Sequence, residues 1–143
     1  AKKIKDDKYL TYKSICDTLL NNINCVIAKE STADLLGYSN GGYREKIVVY
    51  SLENIDKPYI KCIVLKNYDK LNIINHNGLL TTTINQAIVD MLKDKNTDSQ
   101  ILIETLANYY FEQDNSYNNL DIPKRLQSKF NKYAIEGMKY YES

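Results

Sequence analysis

The chain has no tryptophan, one histidine, two prolines, five glycines and three cysteines in 143 residues, and each scarcity excludes something. His76 sits in an Asn75-His76-Asn77-Gly78 turn pattern with no second histidine and no cysteine or carboxylate at ligand spacing. It reads as a surface turn residue, and no catalytic dyad or metal site is built on it. Cys16, Cys25 and Cys62 are odd in number and lie among Ile, Val and Leu, which points to buried reduced thiols and a reducing cytoplasm, not a disulfide framework or a C-x-x-C metal site. With so little Pro and Gly there is no linker, and no repeat or low-complexity tract breaks the chain, so residues 1–143 read as a single domain with a flexible tail over 1–8. No apolar run approaches the roughly 18 residues of a membrane span, and the Lys-rich start is not followed by the apolar core of a signal peptide, so no membrane is expected. An excess of one charge is missing too: 19 basic against 18 acidic residues leave +1, which supplies no global field to recruit nucleic acid or acidic lipid. Gly41-Gly42 lacks the spacing and the following helix of a phosphate-cradling loop, and Glu45, Asp56 and Asp69 lie in loops without the pattern of a metal-dependent nuclease.

What is present is a dense run of folding signals from Asn77 to Leu92. Asn77-Gly78 is a turn dipeptide, Leu79-Leu80 belongs to a strand, and Thr83-Ile84-Asn85-Gln86 fits a capping box in which Thr83 and Gln86 each satisfy a free backbone donor. Ile84, Ala87, Ile88, Met91 and Leu92 then recur at helical spacing, with Asn85, Asp90 and Lys93 expected outside that buried stripe.

The rest of the chain divides around this centre. A helix is predicted from about Tyr9 to Asn22, with Tyr12, Ile15, Cys16, Leu19, Leu20 and Ile23 on one face. Cys25 to Ala28 is a short strand or extended link, and Ser31 is expected to cap a short helix that stops at Gly37. Ser39 to Tyr43 forms a glycine-rich loop, followed by β-branched and aromatic runs at Lys46–Tyr50, Tyr59–Leu65 and Leu71–Ile74. Asp98 or Ser99 caps a helix carrying Ile101, Leu102, Leu106, Tyr109 and Tyr110. Asp121 with Pro123 opens a last helix carrying Ile122, Leu126, Phe130, Tyr133, Ala134 and Met138. The expected fold class is α/β, of the α+β kind: a small mixed or largely antiparallel sheet flanked by an N-terminal helix and three C-terminal helices.

Two surface features bear on binding. Arg125, Lys129, Lys132 and Lys139 line up along the last helix as a basic ridge able to meet phosphates or an acidic partner, although a solvated charged face is the ordinary finish of such a helix. Thirteen tyrosines invite a base-stacking reading, but most fall at core-facing or boundary positions. The richness in Lys, Asn, Ile and Tyr, with arginine only at Arg44 and Arg125, matches A/T-rich codons and hence a low-GC bacterium, phage or mobile element.

Two separated segments carry a family resemblance. Lys29-Glu30-Ser31-Thr32-Ala33-Asp34-Leu35-Leu36-Gly37-Tyr38 resembles the S-A-L-x-L-H-G-L block of AbiEi-type antitoxins, the antitoxin half of type IV abortive-infection systems. Thr83 to Asp90 resembles that family's S-x-x-R-T-L-x-D block. Ser31, Leu35, Gly37, Thr83, Ile88 and Asp90 keep the character of the motifs, whereas the family's histidine is Leu36, its arginine Gln86 and its threonine Ala87, so what survives reads as structural. The resemblance spans Val26 to Ala134 and implies the antitoxin's C-terminal domain without its usual N-terminal winged helix. It also implies a non-enzymatic role in bacterial or mobile-element defence, countering a nucleotidyltransferase-like toxin. Alternatives are a phage or mobile-element protein-interaction inhibitor on the same fold, and a nucleic-acid-binding regulator. No cofactor, metal or catalytic residue is expected under any of the three.

Overall fold

The computed structural model describes residues 11–40 and 46–142, and within them the chain is an α+β fold with one five-stranded mixed sheet. Tyr9 and Leu10, where the first helix is predicted to start, the 1–8 tail and the Gly41–Tyr43 part of the predicted glycine-rich loop fall outside the described residues. Helix α1 (Tyr12–Leu19) begins on Thr11, whose side chain accepts the Ser14 N–H, and the chain turns away through Asn22 at φ 62°. Strand β1 (Val26–Ile27) runs directly into helix α2 (Lys29–Leu35), which ends at Gly37 with φ 88°, the left-handed stop expected of a glycine there. Then come β2 (Ile47–Ser51), β3 (Ile60–Val64), β4 (Ile73–His76) and β5 (Leu79–Thr82). Helices α3 (Ile84–Lys93) and α4 (Ser99–Glu112) follow, and a 3₁₀ turn at Lys124–Leu126 leads into α5 (Gln127–Lys139).

The strand order is β3-β2-β1-β5-β4. β1 is antiparallel to β2 and β4 to β5, while β1 is parallel to β5 and β2 to β3, so the sheet is mixed and not largely antiparallel. The β4–β5 hairpin turns on Asn77 and Gly78, at φ 51° and 97°, the two positive angles that a tight two-residue hairpin needs. On one sheet face α1 buries Cys16 and Leu20 against Ile27, Ile47, Val49 and Ile60. The opposite face gathers Val26, Ala28, Val48 and Tyr50, with Tyr68 and Leu71 from the β3–β4 loop packed on them. A third cluster lies among the helices, where Ile88, Met91 and Leu92 of α3 meet Leu102, Leu106 and Tyr109 of α4 and Phe130 and Ala134 of α5. At the α4–α5 crossing a Cβ on Gly137 would stand 2.6 Å from the Tyr117 hydroxyl and 3.1 Å from the Ala107 nitrogen, so only glycine fits.

Helix α2 joins the α1 core to the helical one. Ser31, Thr32, Ala33, Asp34 and Leu35 are all buried, with Leu35 in the α1 core and Ala33 in the helical one. Ser31 is not the cap expected from its sequence. Ala28 holds the N-cap position without a side-chain bond, and Ser31 lies inside the helix. The reason is geometric. β1 stops so early that the Ala28 carbonyl accepts the helical Ser31 and Thr32 N–H groups, at 3.1 and 3.3 Å. It is therefore turned from Val48, the next β2 residue in the antiparallel register. Ser31 Oγ replaces it, accepting the Val48 N–H at 2.8 Å and the Tyr12 hydroxyl at 2.9 Å. Thr32 Oγ donates to the Ile27 carbonyl at 3.0 Å and meets Thr81 and Thr82 of β5, completing a hydroxyl network across the parallel seam. Buried polar groups cost least when every one is paired, and no buried side-chain nitrogen or oxygen among the described residues lacks a partner.

Two outcomes follow from this packing. Ser31→Ala leaves the Val48 N–H and the Tyr12 hydroxyl without that acceptor and should cost about 1–3 kcal/mol in urea unfolding; a change of only a few tenths would contradict the bridge. Burial, ahead of neighbouring charges, pushes the Cys16 thiol up from 9.0 to about 12 and the Cys25 thiol up to about 11. A raised pKa stabilises the fold below the ordinary thiol value and loses that contribution as pH rises toward the folded one. A disulfide reagent at mildly alkaline pH should therefore label Cys62 in the native protein and reach Cys16 and Cys25 only on unfolding.

Candidate functional site

The Thr83 cap forms as its sequence indicates, with Thr83 Oγ accepting the Gln86 N–H at 3.1 Å, but the reciprocal half of the capping box does not. Gln86 turns its amide the other way. Its Oε1 accepts the Asn72 N–H at 3.3 Å and its Nε2 donates to Asp90 Oδ1 at 2.9 Å. Asp90, expected outside the buried stripe, is buried instead, because its other oxygen, Oδ2, receives the Tyr50 hydroxyl of β2 at 2.7 Å. This bond ties α3 to the sheet, and burial together with the Asp90 carboxylate drives the Tyr50 hydroxyl far above its usual pKa.

Around this bond lies an open groove. Two adjoining hollows of about 520 Å³ and about 370 Å³ share Tyr50, Leu65, Asp90 and Lys93 in their walls. The β3 pleat builds one side: Lys61, Ile63 and Leu65 are two residues apart and so share a face. The β3–β4 loop brings Lys66, Lys70 and Leu71, and the last turn of α3 brings Lys93 and, just beyond it, Asp94. The floor is aliphatic and the rim is rich in lysine.

Lys29 closes one end. Its backbone has φ 54°, in the left-handed region that an L-residue enters at a cost of order 1–3 kcal/mol. Its ammonium lies 2.9 Å from Asp94 Oδ2. That lysine, followed by the Asn96 N–H, holds the Asp94 carboxyl below its ordinary value of 3.8. The other ion pair among the described residues is Lys13–Asp17 on α1. Lys61, Lys66, Lys70 and Lys93 therefore face the groove with no carboxylate at ion-pair distance among the described residues.

Of the motif residues that carried the resemblance, Leu35 and Ile88 are core, Gly37 is a helix stop, Thr83 is a cap, and Ser31 bridges α2 to β2. Asp90 alone reaches the groove, and both its oxygens are engaged. The basic ridge is thinner than its spacing suggests. Lys129 is folded inward, donating to the Leu92 carbonyl at the end of α3 at 2.6 Å, and Lys132 lies over the Tyr133 ring at 5.6 Å. Arg125 and Lys139 are exposed. His76 ends β4 beside the hairpin turn, and no group of metal-ligating side chains gathers among the described residues. The groove was not singled out from the sequence; its one local trace is the Lys-x-Ile-x-Leu alternation of 61–65.

No family model, curated protein or solved structure matches the chain.

Because the Asp94 pKa is lowered on folding, its pairing stabilises the protein above the ordinary carboxylate value and is lost as pH falls through the folded one. Asp94→Asn should be less stable than the parent by about 1 kcal/mol or less near neutral pH, and the gap should be smaller in urea titrations run below the ordinary carboxylate value. An unchanged gap at both would show that the Lys29 pair contributes nothing.

Proposed function

We propose that this chain is a non-enzymatic, antitoxin-like binding protein that holds a protein partner in the groove over Tyr50, Ile63 and Leu65. The observation that carries the reading is the groove's construction: an aliphatic floor with lysines along its rim, while Tyr50 and Asp90 within it are engaged with each other. Aliphatic floors reward side-chain burial and lysines attract a partner's carboxylates, and an apolar centre within a polar rim is the usual anatomy of a protein interface. The resemblance of Ser31–Gly37 and Thr83–Asp90 to AbiEi-type motifs supplies the partner class, a nucleotidyltransferase-like toxin in bacterial or mobile-element defence.

A nucleic-acid-binding regulator fits less well. Phosphate contact along α5 loses Lys129 to Leu92, and among the described residues the groove offers no arginine and no exposed aromatic face for a base to stack on.

The test is growth rescue. Expressed with a nucleotidyltransferase-like toxin encoded beside it, the chain should restore growth. Lys61→Glu with Lys93→Glu, both on exposed groove positions, should abolish rescue while the protein stays folded, and Lys139→Glu on α5 should leave it intact. Rescue indifferent to the groove variant, or absent with folded protein and active toxin, would overturn the proposal.

A further inference from the structure

Strand β3 ends the sheet, and no strand among the described residues pairs with its outer edge. The ladder bonds decide which backbone groups face outward. Ile47 donates to the Tyr59 carbonyl and Leu65 donates to the Ser51 carbonyl, so the odd-numbered residues of this segment turn their backbone groups toward β2. By the alternation of a strand, Cys62 and Val64 turn theirs away from it. The same alternation sends the Lys61, Ile63 and Leu65 side chains into the groove and the Cys62 and Val64 side chains to the other face, where Val64 is 52% exposed. Backbone donors and acceptors with no strand partner among the described residues, an exposed Val64 on one face and Lys61 on the other thus stand along a single edge, with Lys93 of α3 across the groove.

We propose that this edge receives an extended acidic segment of the partner by strand addition, with acidic side chains alternating toward Lys61 and Lys93 and apolar ones toward Val64. The inference rests on the protein-binding reading above and names the mode of binding. Charge favours an acidic partner over a second copy as the occupant, since β3 carries a lysine and no carboxylate with which a second copy's edge could meet the groove lysines. An acidic segment supplies that complement.

The probe is a fluorescein-labelled peptide alternating Glu with Val, followed by anisotropy, beside the same peptide with alternate backbone amides N-methylated and a labelled oligothymidylate. The unmethylated peptide should bind, with salt-sensitive affinity. Lys61→Glu with Lys93→Glu should weaken it about tenfold, and the Cys62 and Val64 amides should gain protection from hydrogen exchange. N-methylation should abolish binding, because it removes the donors of the new ladder while sparing the side chains. Equal binding of the methylated peptide overturns strand addition and leaves the groove as a protein-binding site. Binding of neither peptide overturns the inference, and oligothymidylate binding as tightly as the peptide overturns both it and the protein-partner reading. Peptide binding as described beside failed growth rescue would sink the antitoxin reading alone.

Discussion

The fold depends on the backbone donor of Val48. A two-residue β1 leaves the Val48 N–H without a backbone acceptor, although the Val48 carbonyl accepts the Ala28 N–H at 3.0 Å, and an unpaired N–H in the interior costs about as much as a lost hydrogen bond. The Ser31 hydroxyl fills the gap, and in doing so fixes α2 by its first turn against β2. Thr32 fixes the next residue against β1 and β5. With both hydroxyls committed to the sheet, Ala33 and Leu35 are delivered to two different cores, and a helix of seven residues becomes the common wall between them. Such a helix is too short to persist by its own propensity and holds only because its surroundings hold it.

From that wall the groove follows. α2 starts at Lys29, whose left-handed backbone aims an ammonium at Asp94 across the end of α3, and α3 is drawn to the sheet a turn earlier by Tyr50 and Asp90. These two links place the last turn of α3 beside β3 without covering it. The uncovered strip is the groove, and its lysines come from three separate segments: β3, the loop that follows it, and α3.

What could be read from the sequence was what neighbouring residues decide. The Thr83 cap, the Asn77-Gly78 hairpin, the Gly37 stop and the apolar stripe of α3 each need only a few consecutive residues, and each formed. What could not be read were the side chains whose partner lies far along the chain. Asp90 looks like a solvent residue until Tyr50, forty positions earlier, is brought beside it; Lys129 looks like a ridge lysine until Leu92 presents its carbonyl. Ser31 has the composition of a cap but serves a strand. Strand order was hidden for the same reason, since the parallel pairings of β1 with β5 and β2 with β3 leave no turn signature. The candidate site is made of such long-range meetings, which is why only the alternation within β3 hinted at it.

If α2 is the common wall, the sheet and the helical hairpin of α4 and α5 open together. Native-state hydrogen exchange under increasing denaturant measures this directly, amide by amide. The slow amides of β2, α2 and α4 should converge on one opening free energy, equal to that of global unfolding. If the α4–α5 amides exchange through a separate, lower-energy opening while Val48 and its neighbours stay protected, then α2 does not join the cores and the structural premise of the groove fails.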